Sequence, residues 1–225
     1  MTAVAETVQA PSERRLRITE IFFSLQGESS RVGLPTVFVR LTGCPLRCTW
    51  CDTEYAFHGG GYRSFDEIFD EIATHGTPYV CVTGGEPLAQ RECLGLLREL
   101  SDRGYKVSLE TSGALDISGV DARVSRIMDL KAPGSGEVTR NRWENISYLN
   151  ASDELKFVLA DRADYDWACD VLAQHQLIGR CPVLFSPVQG KLAPADLAEW
   201  VLRDKLPVRM QVQLHKVIWG NVQGR

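Results

Sequence analysis

The chain has 225 residues, 44% apolar and 24% charged, the proportions of a globular protein large enough to bury a core without disulfide staples. A formal charge of −4 argues against a surface built to neutralise many phosphates, and so against general nucleic-acid binding. No stretch reaches the roughly 18 apolar residues of a membrane span, and the opening MTAVAETVQAPSERR lacks a basic-then-apolar secretory pattern, so a cytoplasmic location is expected. Residues 1–15 read as a flexible N-terminal tail, and 16–225 as a single domain. RITEIFFSL (17–25) and TVFVRL (36–41) have the β-branched and aromatic content of strands. Gly59–Gly61 reads as a loop. Ser64 and Glu67 then form the S-x-x-E of a capping box ahead of Phe65, Ile68, Phe69 and Ile72 at helical spacing, a core-facing helix. YVCVTG (79–84) is a buried strand, and 92–104 a helix stopped by Gly104. Strands follow at 105–111, 125–131, 153–159 and 182–187, helices at 163–176 and 193–204, and a last strand at 208–214 before a polar tail.

Strands alternating with helices predict βα units and a parallel sheet. Six or seven strands with about four clear helices fall short of a closed eight-fold barrel. The expected fold class is therefore α/β, a partial (open) TIM-like barrel of six or so parallel strands with few helices. In such sheets ligands sit at the carboxyl ends of the strands. The polar motifs collect there: Gly43–Cys44, Thr83–Gly84–Gly85–Glu86, Glu110–Thr111–Ser112–Gly113, Asp129–Lys131 and Ser186.

Three of the seven cysteines, Cys44, Cys48 and Cys51, lie within eight residues in the spacing C-x3-C-x2-C. Thiolates this close reward a loop wrapped around a soft metal. A closed zinc site needs four ligands, and only His58 follows nearby. A complete iron–sulfur cluster also normally takes four thiolates, so three leave one iron open for a ligand. Zinc, or a chance grouping of buried cysteines, stay open on spacing alone. Cys81, Cys93, Cys169 and Cys181 sit among apolar residues and read as packing. His58, His75 and His175 fit surface or helix-end positions and receive no role.

With Trp50 inside it, the triplet resembles the signature of the radical S-adenosylmethionine (radical SAM) superfamily, and Thr83–Gly84–Gly85–Glu86–Pro87 after a strand is similar to its second motif. SLQGE (24–28), VRLTGC (39–44), WCDTEYAF (50–57) and QLHKVIWG (213–220) make the chain, from about Arg17 onward, similar to the 7-carboxy-7-deazaguanine synthases. The resemblance implies a radical SAM lyase of the queuosine and 7-deazapurine route. It would convert 6-carboxy-5,6,7,8-tetrahydropterin to 7-carboxy-7-deazaguanine with loss of ammonia, and regenerate S-adenosylmethionine each turnover. It implies a [4Fe–4S] cluster on Cys44, Cys48 and Cys51, S-adenosylmethionine, and Mg2+ on Thr53. Cofactor contacts carry over to Trp50, Cys51, Asp52, Gly85 and Glu86, with Ser112, Lys131 and the 186–189 loop (Ser186, Pro187, Val188, Gln189) beside them. Substrate contacts carry over to Leu25, Gln26, Gly27, Glu28, Arg40 and Thr83, with Glu110 and His215 as neighbours. A flavodoxin or ferredoxin-type reductant and a homodimer are implied as well, with neither nucleic acid nor membrane as partner. The three-residue gap between the first two cysteines is the plain one, where some members carry an expanded loop. A glycyl-radical-activating enzyme of the same superfamily, or a non-catalytic zinc-binding protein, remain the alternatives.

Overall fold

The computed structural model describes residues 14–225, so all but the end of the expected tail lies outside the described residues. Strand β1 begins at Arg15, one residue inside that tail. It runs Arg15–Leu25, followed by β2 (Pro35–Leu41), β3 (Gly61–Ser64), helix α1 (Phe65–Ala73), β4 (Tyr79–Gly84), α2 (Cys93–Asp102), β5 (Lys106–Thr111) and β6 (Ser125–Leu130). The chain continues with β7 (Glu154–Leu159), α3 (Arg162–Gln174), β8 (Val183–Pro187), α4 (Pro194–Arg203), β9 (Arg209–Met210) and α5 (Leu214–Trp219). The strands form one nine-stranded sheet in the order β3-β1-β2-β4-β5-β6-β7-β8-β9. From β2 to β9 every neighbour is parallel, while β1 is antiparallel to both β2 and β3. This is the open, mostly parallel α/β barrel that the alternation of elements predicts, with an antiparallel hairpin added at one edge.

Side-chain alternation divides the sheet into two faces. On β2, Val37, Val39 and Leu41 are fully buried in the core against α1 and α2, whereas Phe38 and Arg40 point to the opposite side. Helix α1 closes on that core with Phe65, Ile68, Phe69 and Ile72, the four residues its periodicity picks out. Its capping box is present in both directions: Glu67 N–H donates to Ser64 Oγ at 3.2 Å, and Ser64 N–H donates to Glu67 Oε2 at 2.7 Å. Ser64→Ala is expected to cost about 1 kcal/mol of stability. In a chain of this length that lowers Tm by roughly 2–4 °C, read by thermal unfolding. An unchanged Tm would mean that water replaces the cap at no cost.

Three local expectations need correction. The Gly59–Gly61 stretch is not only a loop, because Gly61 opens β3 and pairs with Ile18. Gly60 has φ +66°, and a Cβ there would lie 2.2 Å from Thr42 Oγ1 and 2.7 Å from the Ile18 carbonyl oxygen, so glycine is required where the edge strand meets β1. The expected strand at 208–214 is only two residues long. It stops where Gln211 turns inward, accepting from Ser29 N–H at 2.9 Å and donating to Ser186 Oγ at 3.1 Å. Finally, α5 occupies what reads as the end of a strand and a polar tail. Leu214, Val217 and Ile218 at helical spacing, with Gly220 after them, are the signal that could have revealed it. Among the described residues no helix is long and apolar enough to cross a membrane.

Candidate active site

The carboxyl ends of the parallel strands open onto a cavity of about 250 Å³. Residues from the 25–28 turn, β2, the 44–53 loop, the ends of β4 to β7, the loop after β8, and α5 line it.

The cysteine loop forms one wall. Cys44, Cys48 and Cys51 all line the cavity, and all three are free thiols. Burial pushes the Cys44 and Cys48 thiols up from their ordinary value. The loop is held to the chain around it. Gly43 N–H donates to the Ala56 carbonyl at 2.8 Å, Thr49 N–H to the Ser135 carbonyl at 3.0 Å, and Thr49 Oγ1 to the Gly134 carbonyl at 2.8 Å.

The Gly84–Gly85–Glu86 turn interlocks with this loop. Glu86 N–H donates to the Gly43 carbonyl at 2.8 Å, and a Cβ on Gly85 would lie 2.4 Å from Gly43 O and 2.8 Å from Cys44 Cβ. The close approach of two backbones explains why glycine stands there. Glu86 itself is not on the cavity wall. It is fully buried, and its carboxylate accepts from Leu88 N–H, Thr111 Oγ1, Ser112 N–H and Ser112 Oγ at 2.5–3.1 Å. The structure thus places the Glu86 carboxylate behind the wall, held by Leu88 and the end of β5, where it shapes the wall through Ser112. Ser186 and Pro187 also lie behind the wall, Ser186 tied to Gln211, while Val188 and Gln189 of the same loop reach the cavity. His58, the possible fourth zinc ligand, does not line it.

The opposite wall carries charge. Arg40 lines the cavity with its side chain 13% exposed, and its Nε–H donates to Glu20 Oε1 at 2.7 Å. Burial alone would lower the guanidinium pKa, but Tyr55 and Glu20 hold it above the ordinary arginine value. Glu110 accepts from Thr83 Oγ1 at 3.0 Å and from Gln26 Nε2 at 3.3 Å, so three expected contacts converge in one cluster. Gly27 admits His215: a Cβ there would lie 2.0 Å from His215 Nδ1. Burial lowers the His215 pKa, although Glu28 opposes the shift. Leu25, Trp50, Asp52, Thr53, Ser112 and Lys131 complete the expected residues on the wall, with Thr53 Oγ1 3.8 Å from Cys51 Sγ.

Several lining residues escaped sequence reasoning. Lys156 reads as a charge interrupting an apolar strand, yet its ammonium reaches Glu28 Oε2 at 2.5 Å and Asp129 Oδ1 at 3.4 Å. Burial would lower its pKa, but these carboxylates raise it well above the ordinary lysine value. Asp129 also pairs with Lys131 at 2.8 Å. From α5 and the residue before it, Lys216 binds Asp52 at 2.7 Å and Gln213 binds Glu28 at 2.7 Å. The aromatic pair Phe22 and Phe38 stacks at 4.8 Å on the cavity side. Only the pairing of distant segments brings these groups together, so no local pattern announces them.

The sequence matches the Radical SAM superfamily profile over residues 38–172. It is 50% identical to the 7-carboxy-7-deazaguanine synthase of Chlorobaculum tepidum over 212 residues, covering 93% of this chain and 96% of that protein. With the Koribacter versatilis protein of the same name it shares 48% identity over 221 residues, covering 91% and 97%. The crystal structure of QueE from Escherichia coli superposes with a TM-score of 0.70 at 23% identity, covering 89% of this chain and 95% of that one, a likeness of fold. An open parallel barrel with a three-cysteine loop interlocked with a glycine turn defines a radical SAM protein, whose cofactors are a [4Fe–4S] cluster and S-adenosylmethionine. Within that superfamily the chain belongs to the 7-carboxy-7-deazaguanine synthase family.

Proposed function

We propose that this chain is a lyase that converts 6-carboxy-5,6,7,8-tetrahydropterin to 7-carboxy-7-deazaguanine with loss of ammonia. The observation that carries the reading is the convergence, in one cavity, of the cysteine loop with Arg40 and the Gln26–Thr83–Glu110 cluster. Family membership removes the two alternatives, a glycyl-radical-activating enzyme and a non-catalytic zinc protein. Anaerobic incubation with reductant, S-adenosylmethionine and the carboxytetrahydropterin is expected to yield the deazaguanine acid. Cleavage of S-adenosylmethionine without that product would sink the reading.

Cys44, Cys48 and Cys51 would hold the cluster, which together with S-adenosylmethionine supplies hydrogen-atom abstraction started by a single electron. Gly85, Ser112, Lys131, Val188, Gln189 and the backbone at 50–52 flank the space left for the S-adenosylmethionine. Arg40 takes the substrate carboxylate, for which a guanidinium offers two parallel donors. Glu110, oriented by Gln26 and Thr83, accepts from ring N–H groups, and His215 closes on the ring from α5. The apolar faces of Phe22 and Phe38 exclude water on the Arg40 side. A flavodoxin or ferredoxin-type reductant and a homodimeric assembly belong to the same proposal. A reducing cytoplasm suits the chain, since all seven cysteines are free.

Mg2+ at Thr53 is part of this reading. Thr53 brings a neutral oxygen, and the carboxylate of adjacent Asp52 is committed to Lys216. Mg2+ commonly keeps waters and takes substrate oxygens for the rest of its shell, so such a site fills only with substrate bound. Activity is expected to rise with Mg2+, and Thr53→Ala to lose most of that response while Thr53→Ser keeps it. Cleavage of S-adenosylmethionine in the absence of substrate should be equal in all three proteins. Full Mg2+ stimulation in Thr53→Ala would move the metal elsewhere.

A further inference from the structure

The pairing of β1 with β2 slips by one residue beside Arg40. Ile18 opposes Leu41, but Glu20 opposes Arg40, so β1 advances two residues while β2 advances one, a bulge centred on Thr19. A one-residue slip moves every later side chain to the other face of the sheet. Before the bulge Leu16 and Ile18 are buried in the core; after it Ile21 packs on the core and Phe22 lines the cavity. In unbroken register Thr19 would face Arg40, and Glu20 would oppose Val39, whose side chain lies in the core. Bulges re-aim side chains and are over-represented next to active sites.

What the bulge delivers is specific. Glu20 Oε1 accepts two hydrogen bonds, from Arg40 Nε–H at 2.7 Å and from Tyr55 Oη–H at 2.9 Å. The Arg40 guanidinium carbon lies 5.5 Å from the Phe22 ring centroid and 5.9 Å from that of Tyr55. Among the described residues the bond to Glu20 is the sole hydrogen bond given by the Arg40 side chain, which leaves both terminal amino groups uncommitted. Glu20 and Tyr55 do not line the cavity themselves.

We propose that Glu20, turned to the cavity side by the bulge at Thr19 and braced by Tyr55, is the positioning residue for Arg40. It holds Nε so that the two terminal amino groups form a fork for the carboxylate of the substrate. The inference rests on the reading of Arg40 given above. Glu20 has two opposing effects. Its acceptor oxygen orients the guanidinium, and its charge partly cancels the positive field that attracts a carboxylate. Orientation dominates here, because a bidentate pair depends on the aim of a planar group.

The test uses the reconstituted enzyme and measures Kd and KM for 6-carboxytetrahydropterin and for tetrahydropterin lacking the carboxylate. Glu20→Ala is expected to raise both constants about tenfold for the carboxylated pterin and to leave the other pterin's Kd unchanged, with kcat nearly unaltered. Glu20→Gln keeps an acceptor oxygen and is expected to stay within about threefold of the parent. Tyr55→Phe, which alters no charge, should show a similar small loss. In an Arg40→Ala background, Glu20→Ala should add nothing further. Tighter binding of the carboxylated pterin in both Glu20 variants would mean that charge rather than orientation matters, and would overturn the proposal. So would equal weakening for both pterins, which marks a structural role. If Arg40→Ala loses the preference for the carboxylate and Glu20→Ala and Tyr55→Phe do not, the positioning role fails alone. If Arg40→Ala itself keeps that preference, the reading of Arg40 fails and the proposal with it.

Discussion

Replacing Cys48 with Ala is expected to yield a colourless protein with no iron retained above background and no detectable product, and Cys44→Ala and Cys51→Ala should behave alike. The three thiols sit on one loop, and His58, the possible fourth ligand, does not reach the cavity to replace a lost one. An iron–sulfur cluster on three thiolates already lacks one of its usual four protein ligands, so a further loss leaves it with two. Cys169→Ala should keep both colour and activity, because that thiol lies on α3 and does not line the cavity. Iron analysis and the visible absorption of the reconstituted proteins decide the matter. A cluster-replete, active Cys48→Ala protein would remove the metal from this loop.

Arg40→Ala is expected to raise KM for the carboxytetrahydropterin while leaving cluster content unchanged. Truncating one partner of a buried charge-assisted pair costs about 2–5 kcal/mol, here roughly 30- to 5,000-fold in affinity. The upper part of that range applies if substrate binding leaves Arg40 dry, as its 13% side-chain exposure indicates. Arg40→Lys should recover only part of the affinity, since an ammonium cannot both hold Glu20 at 2.7 Å and present a planar fork. Steady-state kinetics with parental KM in Arg40→Ala would reduce the residue to a structural partner of Glu20.

Much of this protein is legible in its sequence because the relevant signals are local. The capping box at Ser64 and Glu67, the periodicity of Phe65, Ile68, Phe69 and Ile72, and the alternation of Val37, Val39 and Leu41 about Arg40 each report a backbone period and the face it buries. The cysteine spacing is also local, eight residues of one loop, and so is the glycine turn that meets it. What local pattern does not contain is pairing between distant segments. Lys156, Gln213 and Lys216 enter the cavity wall only because β7 and α5 reach the same mouth, with Lys156 reaching Glu28 across 128 residues of chain.

The sequence by itself determined the class of fold, since βα alternation is a property of contiguous residues; the three-thiol loop pointed to a soft metal, and only the resemblance of its motifs to the radical SAM superfamily implied the cluster. Tertiary structure alone decided the direction in which some of those residues look. Glu86 belongs to a recognisable motif, yet its carboxylate turns away from the cavity to satisfy Thr111 and Ser112, because a buried carboxylate is stable only where donors surround it. Glu20 lies in an unremarkable strand, yet one extra residue in β1 sets it against Arg40. Which face a side chain takes depends on register, and register is settled by the partner strand and the packing on both sides of the sheet, which no window of the sequence contains.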